Sequence, residues 1–167
     1  DFERQLERIR LAQVDAIVLW SSAADAGHIV AAMRASGLSQ PIFGPERLLS
    51  SAFLEGAGRA GEGVVVTSPL DTEETAPSWT RFAEAFRARF SEDPDHFAAY
   101  SYDGARILLE AVDRAGLNRA LIRDELARLQ GFNGVSGPMR FDTTHNNLGK
   151  IHVVQVKDGR FVRLAGP

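Results

Sequence analysis

Asp15–Trp20, DAIVLW, leads through two serines into AADAGHIVAAMRASG, which runs from Ala23 to Gly37. A continuous apolar run of this length reads as a strand buried on both faces of a parallel sheet. Ser21 and Ser22 can cap the helix that follows, Ile29, Val30, Met33 and Leu38 supply its buried stripe, and Gly37 ends it. The same rhythm repeats downstream. Gln40–Gly44, QPIFG, reads as a short strand, Leu48–Ala57 as a short helix and Gly61–Ser68, GEGVVVTS, as a third buried strand. Upstream, Phe2, Leu6, Ile9 and Val14 stand at near-helical spacing among charged neighbours.

The second half changes character. Pro69–Pro77 is polar and acidic enough for a loop, and Trp79, Phe82, Phe86 and Phe90 mark an aromatic-faced helix over Ser78–Phe90. After the loop SEDPDH, helices are expected over Phe97–Ala115 and Arg119–Leu129, separated by Gly116, Leu117 and Asn118. Gly134–Asp142, Ile151–Val156 and Arg160–Leu164 alternate like strands, and Lys157-Asp158-Gly159 has hairpin-turn chemistry. The expected fold is α/β over residues 1–167 as one domain: a three-layer sandwich with a mostly parallel central sheet flanked by helices, plus a C-terminal strand pair. Such sheets bind ligands beyond the carboxyl ends of their strands. Here those ends are Trp20–Ala23, Gly44–Arg47 and Ser68–Asp71.

Composition narrows the function classes. With 167 residues, 44% hydrophobic and 25% charged, the chain can bury a core and falls outside disordered and fibrous classes. A net charge of −3, from 19 basic and 22 acidic residues, gives no basic field, so nucleic acid is not an expected partner. No apolar run approaches the roughly 18 residues of a membrane span. DFERQLERIR has neither the apolar core nor the cleavage site of a signal peptide, so the chain reads as soluble. The absence of cysteine removes disulfides, thiol nucleophiles and thiolate metal sites.

Catalytic constellations are also missing. There is no GxSxG elbow, HExxH helix or GxxxxGK[ST] loop, and the paired acids Glu73/Glu74 and Asp93/Asp95 fall in polar loops. Ser68 has no base beside it in SPLD and reads as a turn residue. His28, His96, His145 and His152 show no metal-ligand spacing. DTTHNN, Asp142–Asn147, has oxygens that suit calcium but lacks a closing bidentate glutamate, so it reads as a plain polar loop. The expectation is a binding protein and not an enzyme, with no metal and no cofactor. An enzyme of flavodoxin-like topology is the alternative of a different class.

The segments DFERQLERIRLAQVDAIVLW, AMRASGLSQPIFGPE, AGEGVVVTSPLD, FAAYSYDGARILLEAVDRAG, GFNGVSGPMRFD and VVQVKDGRFV, in this order and at these separations, resemble the type I periplasmic binding proteins. The likeness is to the receptors for leucine, isoleucine and valine. The resemblance implies two α/β lobes joined by a three-strand hinge that close on a ligand, with this chain as the C-terminal portion and the first lobe upstream of Asp1. It implies the extracytoplasmic solute-binding component of an ABC transporter, periplasmic or extracellular, and membrane-associated in a Gram-positive host. Its partners would be a small amino-acid-like ligand and an ABC permease. The exposed half-cleft would be open to solvent or filled by a second copy in a homodimer. A ligand-sensing domain of a receptor or transcriptional regulator is the nearest alternative, because the same lobes serve signalling.

The resemblance also assigns residues. Glu46, in FGPE, stands where amino-acid receptors place the acid that pairs with the ligand ammonium, a charge-assisted bond of roughly 1.5 to 3 kcal/mol. The competing role is an acid at a helix start, worth roughly 0.3 to 1 kcal/mol. Ser22 stands where branched-chain receptors carry an aromatic over the ligand side chain, which favours a bulkier or more polar ligand here. Its competing role is a helix cap. Ser21 and Ala23 flank it at the helix start, where free N–H groups can meet a ligand oxygen. Trp20 is expected in the core as the end of a buried strand, with a stacking platform for ligand as the other reading. Tyr102 and Asp103, in AYSYDGA, read as structural, Asp103 satisfying backbone and Tyr102 packing beside it.

Overall fold

A computed structural model describes residues 2–71 and 76–164. The chain divides into two compact units. The first begins with helix α1 (Glu3–Ala12) and continues through strand β1 (Ile17–Val18), helix α2 (Ala23–Ala35) and strand β2 (Ile42–Gly44). A 3-10 turn (Glu46–Leu48), helix α3 (Ser51–Ala57), a second 3-10 turn (Gly58–Gly61) and strand β3 (Val65–Ser68) follow. The second unit holds helices α4 (Pro77–Phe90), α5 (His96–Ala115) and α6 (Arg119–Ala127) and strands β4 (Gly131–Gly134) and β5 (Gly137–Arg140). Strands β6 (His152–Lys157) and β7 (Arg160–Arg163) return to the first unit.

The first unit is built on a sheet of order β1-β2-β3-β6-β7. β1, β2 and β3 are parallel, with Val18 opposite Phe43 and Phe43 opposite Val65. β6 joins β3 antiparallel, and β7 pairs β6 through a hairpin turn at Asp158 and Gly159. Both turn residues have positive φ, 50° and 72°, the geometry that matches the twist of paired strands. The expected C-terminal strand pair is therefore part of the main sheet.

Sequence logic accounts for the helices. Ser22 and Ser50 cap α2 and α3. Past the end of α2, Gly37 takes φ 84° while Leu38 N–H bonds to the Met33 carbonyl, so the chain turns toward β2. The Arg34 guanidinium donates to the Leu38 and Gln40 carbonyls and holds that turn. α2 and α3 meet at glycines: a Cβ on Gly27 would lie 2.7 Å from the Phe53 carbonyl oxygen, so only a bare Cα fits. Val30, Phe53, Ile42, Leu48, Val66, Val154 and Val156 form one core with α1's Leu6. Each contributes roughly 1.5 to 3 kcal/mol by leaving water.

One expectation fails here. DAIVLW is buried on one face only: Ile17 and Leu19 enter the core, whereas Val18 is 74% exposed. The cause is the placement of the crossovers. α2 and α3 both cover the face that carries Ile42 and Val66, so among the described residues the row Val18, Phe43, Val65, Gln155, Val162 has no helix of this unit over it.

In the second unit, Trp79, Phe82, Phe86 and Phe90 stack in turn along α4 as expected, and Phe82 also meets Tyr102, with ring centroids 5.0 Å apart. Asp95 caps α5 by accepting the Ala98 N–H, and Asn118 caps α6. The single strand expected over Gly134–Asp142 is instead the second half of a hairpin, β4 and β5, turning at Val135 and Ser136. Glu73 and Glu74 lie outside the described residues.

Candidate functional site

Parallel strands β1 and β2 run side by side, so their carboxyl ends share one edge of the sheet. The two loops that leave this edge carry the sequence candidates. Leu19 N–H bonds to the Phe43 carbonyl at 2.8 Å, which extends the pairing up to the point where the loops diverge. Beyond it come Trp20, Ser21, Ser22 and Ala23 from β1, and Pro45 and Glu46 from β2.

Ser22 is the cap of α2. Its Oγ accepts the Asp25 N–H at 3.4 Å and donates to Asp25 Oδ2 at 2.7 Å. The Ser-x-x-Asp spacing in the sequence is the signal that points to Asp25 as the partner of Ser22. Ser21 is half-buried, and Ala23 begins α2 with its methyl against the core. Glu46 is half-buried in the first position of the 3-10 turn, and its carboxylate has no hydrogen bond or ion pair among the described residues. Leu48 anchors that turn: it is fully buried, and its Cδ2 fills the space a Cβ on Gly44 would need, 2.5 Å away.

Trp20 corrects the expected core placement. It is 75% exposed, because the alternation that turns Leu19 inward turns the next side chain to the uncovered side of the sheet.

The third loop of the edge differs. Ser68 is fully buried, and its Oγ donates to the Leu70 carbonyl at 2.5 Å and accepts the Leu70 N–H, so it serves its own turn. Asp71 beyond it pairs with Arg163 of β7 at 2.7 Å, a contact the sequence pattern did not reveal. The hollow of about 410 Å³ between α1 and Ser36 lies past the opposite end of α2 from Ser22, beside the ion pair of Glu7 and Arg10.

In the second unit, Asp103 has the structural role read from the sequence. It is fully buried and accepts the Val135 N–H at 2.8 Å, the Ser136 N–H at 2.9 Å and the Ser136 hydroxyl at 2.7 Å. These bonds fix the β4–β5 turn against α5. Burial, and then the Asp103 carboxylate, push the Tyr100 phenol above its ordinary value. Asp142 closes the DTTHNN loop on itself. The Asn146 backbone N–H, then the Thr144 hydroxyl and the Asn146 side-chain amide, hold its carboxyl down at about 2. His28 and His145 point ring nitrogens at the carbonyls of Ala24 and Ala127. Among the described residues no group of three His, Cys, Asp or Glu could hold a metal ion, and no helix is long and apolar enough to cross a membrane.

Known proteins share this fold. The family model described as periplasmic binding protein matches residues 1–160. The Leu/Ile/Val-binding protein of Escherichia coli K12 is 26% identical over 145 residues, covering 85% of this chain and 38% of that one. The leucine-binding protein LivK of Thermotoga maritima superposes with a TM-score of 0.89 at 26% identity, over 99% of this chain and 48% of its own. The substrate-binding protein LivJ of Streptococcus pneumoniae, solved with isoleucine, gives 0.84 at 29% identity, over 98% of this chain and 49% of its own. This chain thus spans less than half the length of these relatives.

Proposed function

Because the chain belongs to the periplasmic binding protein family, we propose that residues 1–167 are the C-terminal portion of the extracytoplasmic solute-binding component of an ABC transporter. The Ser22 and Glu46 loops form one wall of its cleft, and the opposite wall is supplied by the rest of the receptor. The observation that carries this reading is the shared edge: both loops leave the carboxyl ends of adjacent parallel strands, where α/β sheets bind their ligands.

Each candidate then has a task. The Glu46 carboxylate, half-buried and unbonded among the described residues, pairs with a ligand ammonium. The start of α2, with Ser21, Ser22 and Ala23, offers polar groups and N–H donors to a ligand oxygen. Trp20 presents an indole face beside them. The ligand is an amino acid or similar small polar solute, and the serine at position 22 leaves room for more than a branched side chain. Contacts on both walls favour the closed receptor, so half a cleft binds weakly, and closure is what a permease partner reads. The receptor works outside the cytoplasmic membrane, and in this 167-residue form the open wall is where a second copy would sit.

A thermal-shift panel of amino acids on the complete two-lobed receptor tests the reading. At least one amino acid raises the melting temperature with saturable dose dependence; a flat response to all of them overturns the assignment.

A further inference from the structure

We propose that the second unit carries a binding site of its own, for a medium-chain aliphatic monocarboxylate, in the cavity between α5, the C-terminal half of α6 and the loop after β5. The cavity measures about 370 Å³ and is walled by Ile107, Leu126, Leu129 and Phe141, with Arg123 and His145 as its polar side chains. None of these residues belongs to the Ser22–Glu46 edge, so the proposal does not rest on the transport reading. The volume lies at the lower end of the range for small-molecule sites and equals that of about a dozen water molecules. That is room for a chain of about eight carbons.

The cavity has a fixed shape. Phe141 is bridged antiparallel to Asn147, and its N–H bonds to the Gln130 carbonyl at 3.1 Å. Between them Asp142 accepts from Thr144 N, Thr144 Oγ1, Asn146 N and Asn146 Nδ2, all within 3.1 Å. His145 is therefore held at φ 64° with its N–H on the Asp142 carbonyl. A loop so over-determined fixes the backbone that carries Phe141 and His145 before any ligand arrives, which limits the ordering cost of binding to their side chains.

The polar groups select the head group. Nε and Nη2 of Arg123 both donate to Asp124 Oδ1, which sets the plane of the guanidinium and leaves Nη1 without a hydrogen bond among the described residues. His145 Nε2 lies 3.4 Å from the Ala127 carbonyl, and its Nδ1 likewise has no bond among them. The arginine offers donors only; Asp124, outside the lining, offsets part of its charge, no acidic side chain lines the cavity itself, and the remaining wall is hydrocarbon. A carboxylate on an alkyl chain satisfies both parts. An alkyl ammonium would face the guanidinium, and a free amino acid would strand its ammonium against apolar side chains.

Octanoate, titrated into the 167-residue chain by calorimetry with 1-octanol as the neutral comparison, tests the site. Octanoate is expected to bind one to one. Arg123→Ala should weaken octanoate at least tenfold while leaving octanol unchanged, and Ala127→Trp, at an exposed position, should block both by filling the mouth. Leu126→Asp should do the same, with circular dichroism confirming that each variant stays folded. Absence of octanoate binding, or binding untouched by Ala127→Trp, overturns the proposal. So does binding lost on Val18→Lys, which would place the ligand on the bare sheet face of the first unit. A failure here leaves the amino-acid panel on the two-lobed receptor unaffected.

Discussion

Glu46 and Asp103 are acids in two different regions, and the protein treats them in opposite ways. Asp103, in the second unit, is sealed from solvent and has three donors, each from the turn it holds. Glu46, at the carboxyl edge of the first unit's sheet, is half-buried and has no bonded partner among the described residues. A carboxylate whose lone pairs are filled from within the fold stabilises the fold, whereas one left with open lone pairs at a strand edge is available to a ligand cation. Residue type does not separate these roles; the local count of donors does.

Removing the Asp103 carboxylate is the harshest way to probe the contrast. Asp103→Ala leaves the buried Val135 N–H and the half-buried Ser136 N–H and hydroxyl unsatisfied and should destabilise the second unit by about 3 kcal/mol, read from denaturant unfolding. Gly134→Ala approaches the same contact from the other side. Its new Cβ would lie 2.1 Å from Asp103 Oδ2, so the turn must shift, at about 2 to 3 kcal/mol. If either variant unfolds like the parent chain, Asp103 is not the clamp described. Glu46→Ala, by contrast, should change unfolding by no more than about 0.5 kcal/mol, since nothing in the fold leans on its carboxylate. A loss comparable to that of Asp103→Ala would erase the distinction.

Asp142 gives the mild end of the contrast, because it is half-buried yet filled by its own loop. Its folded value, about 2, lies below the ordinary 3.8, so its contribution to the order of the 142–146 loop is fully present above the ordinary value. That contribution is lost as pH falls from there through about 2. Carboxyl-detected NMR should show an acid midpoint near 2 for Asp142, with the Thr144 and Asn146 amides moving in step; a midpoint at the ordinary value would dissolve the loop's preorganisation.

These contrasts show what the sequence could carry. Strand-helix alternation was legible because DAIVLW, PIFG and GVVVTS are apolar runs separated by capped, periodic segments, and Ser22 and Gly37 begin and end α2 as their chemistry demands. The face of each strand was not legible. A continuous apolar run looks the same whether one side or both is covered, and only the common placement of α2 and α3 shows that Val18 and Trp20 lie on the bare side. The β4–β5 hairpin was not legible because its turn has none of the usual glycine or asparagine at Val135 and Ser136. It is held by Asp103, 32 residues away in sequence from Val135. At the candidate site, the shared edge of the two loops was readable from the parallel strand-helix rhythm, while the unbonded state of Glu46 and the bond between Asp25 and Ser22 needed coordinates.

On the proposed function, the loops bearing Ser22 and Glu46 face a solute. Calorimetric titration of the two-lobed receptor with the amino acid that most raises its melting temperature, alongside its Glu46→Ala variant, tests this directly. The account predicts an affinity lower by about one to two powers of ten in the variant, the worth of one charge-assisted hydrogen bond, with stability unchanged. Equal affinities in the two proteins would contradict it.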